Sequence, residues 1–218
     1  LSLLIDGSIN NLILGRATQT QGLGMPKLGM EPIRRASLIK ATIAEIGEAG
    51  SLEVTVSRIA RRAGMSAALA HHYFGSKEAI FLAAMRHILT LYGAGVRGAL
   101  AAADGPEGRA RAVVRASFTP DNFRAEVVSA WLNFYVLAQT QPEAKRLLSV
   151  YQRRLQSNLR HALRPLLGAG AAAAARQVAA MIDGAYLHAA LGLEAPDSAA
   201  AAALIEDALD RIVKGGRG

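Results

Sequence analysis

Apolar residues settle into a helical rhythm soon after Pro32. Ile39, Thr42, Ile43 and Ile46 recur at i, i+3, i+4 and i+7, which places one stripe on one face of a helix. Pro32 suits a first turn and Gly50 a stop, so the pattern predicts a helix over about 32–49. A shorter helix follows Thr55, whose hydroxyl can cap it, and ends near Ala63 with Ile59 and Ala60 facing inward. Gly64 supplies a turn. Ser66 caps a third helix running to about Tyr73. Ser76 caps a fourth, with Glu78 in its first turn where the helix dipole favours an anion.

The fourth helix is expected to reach about Ala102, where Asp104-Gly105-Pro106 breaks the chain. A fifth covers about 106–117. Thr119-Pro120-Asp121 opens a sixth that ends before Pro142, and a seventh stops near Pro165. After a loop at 168–170, an eighth helix spans about 171–191 and a ninth about 197–213. The pattern holds no strand and no repeat. It predicts an all-α chain of about nine helices, with a three-helix unit at 25–75 and a larger helical unit at 76–218. The helix that starts at Ser76 joins them. Residues 1–24 show no helical period, and Arg16 follows the apolar stretch rather than preceding it, unlike a secretory signal. They are read as a disordered tail or an over-extended start, with the initiator at Met25 or Met30.

Charge sharpens this picture. The 218 residues carry 25 Lys and Arg against 17 Asp and Glu, a net charge of +8 that favours polyanion partners. There is no cysteine, which excludes disulfides and thiolate chemistry and fits the cytoplasm. No stretch of roughly 18 apolar residues lacks a charge or breaker, so no transmembrane helix is expected.

Residues 55–85 read as a short helix, a glycine turn and a second short helix, the helix-turn-helix layout whose second helix enters the DNA major groove. Thr55, Ser66, His72, Tyr73 and Lys77 are the candidate phosphate contacts. Ala67, Ala68 and His71 are the candidate base contacts, the alanines through thymine methyl groups. That polar inventory is thin, so Lys27, Arg34, Arg35 or DNA shape are further sources of specificity. Tyr73 and Phe74 also read as core. Arg61-Arg62 reads either as a DNA contact or as a solvated surface. Adjacent His71 and His72 point about 100° apart with no ligand at i+4, so no metal site is expected.

Beyond this face, Trp131, Phe134, Tyr135 and Ala138 fall at i, i+3, i+4 and i+7 in the sixth helix. Such a stripe reads as ordinary core or as an aromatic cage for a quaternary ammonium ion. Tyr151 and Tyr186 would complete a cage, and Asp183, one turn before Tyr186, would supply a carboxylate, with Glu126 the other nearby acid. Met181, Ala185, Leu191, Leu204, Ala208 and Ile212 lie on alanine-rich helices and read as a dimer seam or as internal packing.

Ile59-Ala60, Ala63-Gly64-Met65-Ser66, His72-Tyr73-Phe74 and Ser76-Lys77-Glu78, at gapless spacing, resemble the TetR-type one-component transcriptional repressors. Further residues resemble the choline-responsive repressors of glycine-betaine synthesis genes within that family. They are 25–30, Arg34-Arg35, Ala130-Trp131-Leu132, 153–159, Ile182-Asp183-Gly184 and Ala189-Ala190-Leu191. The likeness spans about 25–213 and departs at Ala67-Ala68, where the family usually carries a polar or glycine residue. It implies a cytoplasmic homodimer on a palindromic operator, released by choline or a related ligand, with no cofactor and no membrane contact. The alternatives are a repressor of the same type answering an unrelated apolar or cationic molecule, and a structural DNA-binding protein without effector. An enzyme is disfavoured: no phosphate-binding glycine loop follows a strand, and no Ser/His/Asp set stands in a recognisable context.

Overall fold

The computed structural model describes residues 29–192 and 195–216. The segment 1–24, and Met25 to Leu28 after it, lie outside the described residues. Nine α-helices are present among those described. α1 (Met30–Ala49) ends on Gly50, whose φ of 63° is left-handed and whose N–H returns to Ile46 O. α2 (Val56–Arg62) and α3 (Ala67–Phe74) follow, separated by Gly64 at φ 69°. The expected caps are in place. Thr55 Oγ1 accepts the Arg58 N–H at 3.2 Å, Ser66 Oγ that of Leu69 at 3.2 Å, and Ser76 Oγ that of Ala79 at 3.1 Å. α4 (Lys77–Ala102) leads into α5 (Gly105–Ser117), α6 (Ala125–Thr140), α7 (Pro142–Leu167), α8 (Ala171–Leu191) and α9 (Ser198–Gly215). A 3₁₀ turn, Gly168–Gly170, joins α7 to α8.

Two boundaries differ from expectation. The sixth helix does not open at Thr119. Residues 119–124 form turns in which the N–H groups of Asn122 and Phe123 return to Thr119 O. Asn122 Nδ2 donates to Ala116 O at 2.9 Å, so this side chain satisfies a carbonyl at the end of α5 and holds the turn closed. α7 also continues through Pro165. The missing N–H falls in the last turn, on an exposed residue, and Gly168 N–H still reaches Arg164 O. Contrary to expectation, α4 and the α7–α8 stretch are long and apolar enough to cross a bilayer by length and composition. In this fold α4 turns Ile80, Phe81, Met85, Ile88 and Val96 into the protein core.

That core is one contiguous cluster, running from Leu38 and Ile59 through Ile80 and Ile88 to Phe134, Leu159, Ile182 and Leu209. α1 is held from two sides. Towards α2, the buried Glu45 carboxylate takes Arg62 Nε at 2.6 Å and Arg58 Nη2 at 2.8 Å, and Arg62 also pairs with Glu48. The Arg62 hydrogen bond, then the Arg58 charge, hold Glu45 below its ordinary pKa. Of the Arg61-Arg62 pair, then, Arg62 clamps α1 to α2 while Arg61 stays exposed.

Towards α6, Ser129 Oγ donates to Ile46 O at 3.4 Å and Asn133 Nδ2 to Gly50 O at 3.3 Å. At Gly47 the helices nearly touch. A Cβ there would lie 2.5 Å from Glu126 Cβ and 2.6 Å from its Cα. Only glycine allows this approach.

Candidate functional site

The helix-turn-helix presents Thr55, Ser66, Ala68, His71 and His72 to solvent, with Ala67, Tyr73 and Lys77 half-buried. A hydroxyl oxygen that accepts a cap bond keeps its O–H free, so Thr55 and Ser66 can each still donate to a phosphate. His71 Nδ1 lies 3.3 Å from Gly75 O. A carbonyl only accepts, so Nδ1–H is the donor in this contact and Nε2 is the ring nitrogen left for a base edge. Lys77 Nζ rests 5.6 Å from the centre of the Phe81 ring. Tyr73 OH accepts from Arg34 Nη1 at 3.4 Å, and the Arg35 guanidinium lies over the Tyr73 and Phe74 rings at 5.6 and 5.0 Å. Arg34 and Arg35 are thus tied to the end of α3 and share its face.

In the helical body, four aromatic residues from three helices converge on one carboxylate. Tyr135 and Tyr151 each donate a hydroxyl to Asp183 Oδ1 at 3.1 Å. The Trp131 ring centre lies 4.7 Å from that of Tyr151, 5.7 Å from Tyr135 and 6.0 Å from Tyr186. Tyr186 donates to Ser117 O at 2.6 Å, with Asn122 O at 3.2 Å beside it. Phe134 is fully buried, edge-on to Trp131 at 6.0 Å, and backs the cluster from behind. Glu126 is not part of it; this acid sits at the start of α6 against Gly47.

Burial pushes Asp183 above its ordinary pKa, against the pull of the two phenol hydrogen bonds. Burial likewise raises Tyr151, Tyr135 and Tyr186, and lifts Tyr92 to about 12, so every hydroxyl here stays a donor at neutral pH. Among the described residues no cation pairs with Asp183. Beside the cluster lies a cavity of only about 10 Å³, bounded by Ile88, Tyr92, Ser117, Asn122 and the rings of Trp131, Tyr151 and Tyr186; Asp183 and Tyr135 do not line it. That is room for one water at most.

Past Ile88 and Asn122 lies a larger cavity of about 830 Å³, between α1, α4 and the 119–127 segment. Tyr92, Ser117 and Asn122 escaped the sequence reading. Ile88 and Tyr92 sit at i, i+4 on α4, a spacing that by itself does not separate a site from core. The turn that carries Asn122 was read as helix.

On the outer faces of α8 and α9, Leu191 and Leu204 are 66% and 65% exposed, and Leu187 is exposed beside them. Met181, Ala185, Ala208 and Ile212 are half-buried.

A DNA-reading face in the same chain as a body able to take a small molecule defines a one-component transcriptional regulator. Residues 38–84 match the family model for bacterial regulatory proteins of the tetR family, and residues 106–214 that for the C-terminal part of BetI-type transcriptional repressors. The chain belongs to the TetR family of transcriptional repressors, in its BetI-type branch. It is 50% identical over 184 residues to the HTH-type transcriptional regulator BetI of Brucella suis biovar 1 (strain 1330), covering 84% of this chain and 93% of that one. A transcriptional regulator from Pseudomonas aeruginosa PAO1 superimposes with a TM-score of 0.70 at 25% identity, covering 85% of this chain and 93% of its own. A regulator from Saccharomonospora viridis, solved in complex with choline, does so with a TM-score of 0.70 at 20% identity, covering 82% and 96%. The resemblance, the all-α fold and the non-enzymatic reading are borne out: these relatives are regulators, not enzymes.

Proposed function

We propose that this repressor acts as a cytoplasmic homodimer on a palindromic operator and leaves it when choline, or a close quaternary ammonium relative, enters the cage around Asp183. Its targets are then the genes that convert choline to glycine betaine. One observation carries the reading: the half-buried Asp183 carboxylate, with no counter-cation among the described residues, accepts the Tyr135 and Tyr151 hydroxyls beside the rings of Trp131 and Tyr186. A quaternary ammonium has no N–H to donate, so π faces and one negative charge are what it needs. The Brucella relative's name and the choline bound to the Saccharomonospora regulator support the same ligand.

The cage is too small for a trimethylammonium group as it stands, so binding has to open it. The weakest wall is the 119–124 turn. Displacing Asn122 would break its contact with Tyr186 and merge the cage with the cavity beyond. The turn leads directly into Glu126, which rests on Gly47 of α1. Ligand therefore selects a conformer in which α6 pushes α1, and with it the reading helix, away from the spacing DNA requires. α6 thus serves as a lever.

Choline should raise the melting temperature and weaken operator binding. Trp131→Ala should weaken choline by about 2 kcal/mol or more, and Trp131→Phe by less. Choline's uncharged carbon isostere, 3,3-dimethylbutanol, should bind poorly. Equal affinity for the isostere would mean the pocket is merely apolar.

For DNA, Lys77→Ala should weaken operator and random duplex alike and lower the salt slope by about one unit. Loss confined to the operator would make Lys77 a base contact instead. For assembly, exposed Leu187, Leu191 and Leu204 flank Ala185 and Ala208 on the proposed α8–α9 seam, and two readers match two half-sites. Ala185→Glu should give a monomer with sharply weaker operator binding; light scattering that still reports a dimer would place the interface elsewhere.

A further inference from the structure

A second concavity, of about 610 Å³, runs between α4 and α7 on the side of the cage away from α1. Its floor is apolar: Leu89, Val96 and Leu100 from α4, Leu147, Val150 and Leu155 from α7. Its rim is not. Arg86 and Arg97 from α4 and Arg154 from α7 border it, and no aspartate or glutamate lines it. All three arginines are exposed, and none makes an ion pair or side-chain hydrogen bond among the described residues. Arg97 folds back over Gly93, the one α4 position there without a side chain; a Cβ at 93 would meet its Nη1 at 3.4 Å. The guanidinium is thereby laid along the groove.

Three unpaired guanidiniums repel one another and repel a quaternary ammonium, so this groove is not built to admit a cation. They attract a carboxylate or phosphate, to which arginine offers paired donors, while the leucine and valine floor takes a hydrocarbon chain. The volume is that of an ordinary small-molecule site. We propose that the α4–α7 groove binds an anionic amphiphile, a medium-chain carboxylate or alkyl phosphate, with its head on Arg97 and Arg154 and its chain along Leu89, Val96 and Leu147. This site goes beyond the choline reading and does not depend on it.

Tyr92 and Tyr151 form the wall shared by groove and cage, and the Tyr151 ring lies 4.7 Å from that of Trp131, the chain's single tryptophan. Fluorescence of Trp131 therefore reports on the groove. With the full chain, decanoate below its micelle concentration should change that fluorescence saturably. Calorimetry should give a one-site isotherm. R97Q/R154Q, which alters only exposed side chains, should weaken binding at least about tenfold, and added salt should weaken it too. Decanol and decyltrimethylammonium should bind far less tightly.

Decyl phosphate that binds as well as decanoate supports the site and marks the head group as a phosphate. Trp131→Ala, followed by calorimetry, should keep decanoate binding while losing choline, so failure of either reading leaves the other standing. The proposal is overturned by no saturable binding, by decanol matching decanoate, by an unchanged R97Q/R154Q, or by binding to phosphatidylglycerol vesicles without binding to free decanoate.

Discussion

Asp183→Asn should abolish the choline response and, in the same protein, raise the melting temperature. Burial lifts this carboxyl above its ordinary value of 3.8, so the folded chain holds the proton more tightly than the unfolded chain does. The stability tied to that proton is complete below the ordinary value. It is lost as pH rises through the raised folded value. At neutral pH the charge therefore opposes folding, with no cation among the described residues paired to offset it. Asparagine keeps an acceptor oxygen for the Tyr135 and Tyr151 hydroxyls and removes the charge. A gain of ~1 kcal/mol moves the midpoint of a chain this size by about 2–4 °C. Melting curves from acid to neutral pH check the sign: the variant's advantage should grow as pH rises. A variant that melts below the wild type at neutral pH would show that Asp183 already has a favourable partner. Sites that oppose stability in the empty protein and gain it with ligand are what a sensor requires.

Gly47→Ala is expected to uncouple the reading helix from the body. Alanine is the better helix former by about 1 kcal/mol, so a glycine here is locally unfavourable. It persists because Glu126 backbone lies within 2.6 Å of where a Cβ would stand. A contact that short forces α1 and α6 apart, at a cost of about 1–3 kcal/mol for such overpacking. Choline should still raise the melting temperature of the variant, because the cage is untouched. Operator affinity should fall by about tenfold or more, since each reader now meets its half-site off register and 1.4 kcal/mol is already a factor of ten. Full operator affinity with a normal choline effect would show that the α1–α6 contact plays no part in placing the reader.

Much of this molecule is legible from local chemistry. Thr55, Ser66, Ser76 and Gly50 marked helix ends because a cap or a left-handed residue acts within four positions of itself, and the structure places the boundaries there. The Trp131 stripe and Asp183 could be gathered as one candidate cluster, because helical period alone put each on a face with the right chemistry. Failures came where two distant segments decide the outcome. Thr119-Pro120-Asp121 has the composition of a helix start, but the Asn122 side chain takes a carbonyl of α5 and the turn wins. Nothing local to Gly47 signals its role, which resides in Glu126, far along the chain. The Arg97 and Arg154 pair belongs to two helices whose packing no period encodes. Closure of the cage depends on how ring volumes fill space, which residue types do not reveal.

The unbroken apolar cluster from Leu38 to Leu209 makes the reader and the sensor one cooperative unit. A reader with a core of its own would fray or unfold by itself. Here α1 to α3 borrow part of theirs from α4 and α6, so local opening of the DNA-binding helices is energetically tied to the whole chain. Ligand held in the body thus protects the reader as well: at a concentration of 100 times its dissociation constant, ~2.7 kcal/mol is added to every opening that passes through global unfolding. If ligand releases the repressor as proposed, the form that has let go of DNA would then also be the one most resistant to proteases, and it would outlast the stimulus ready to bind again once the ligand is consumed.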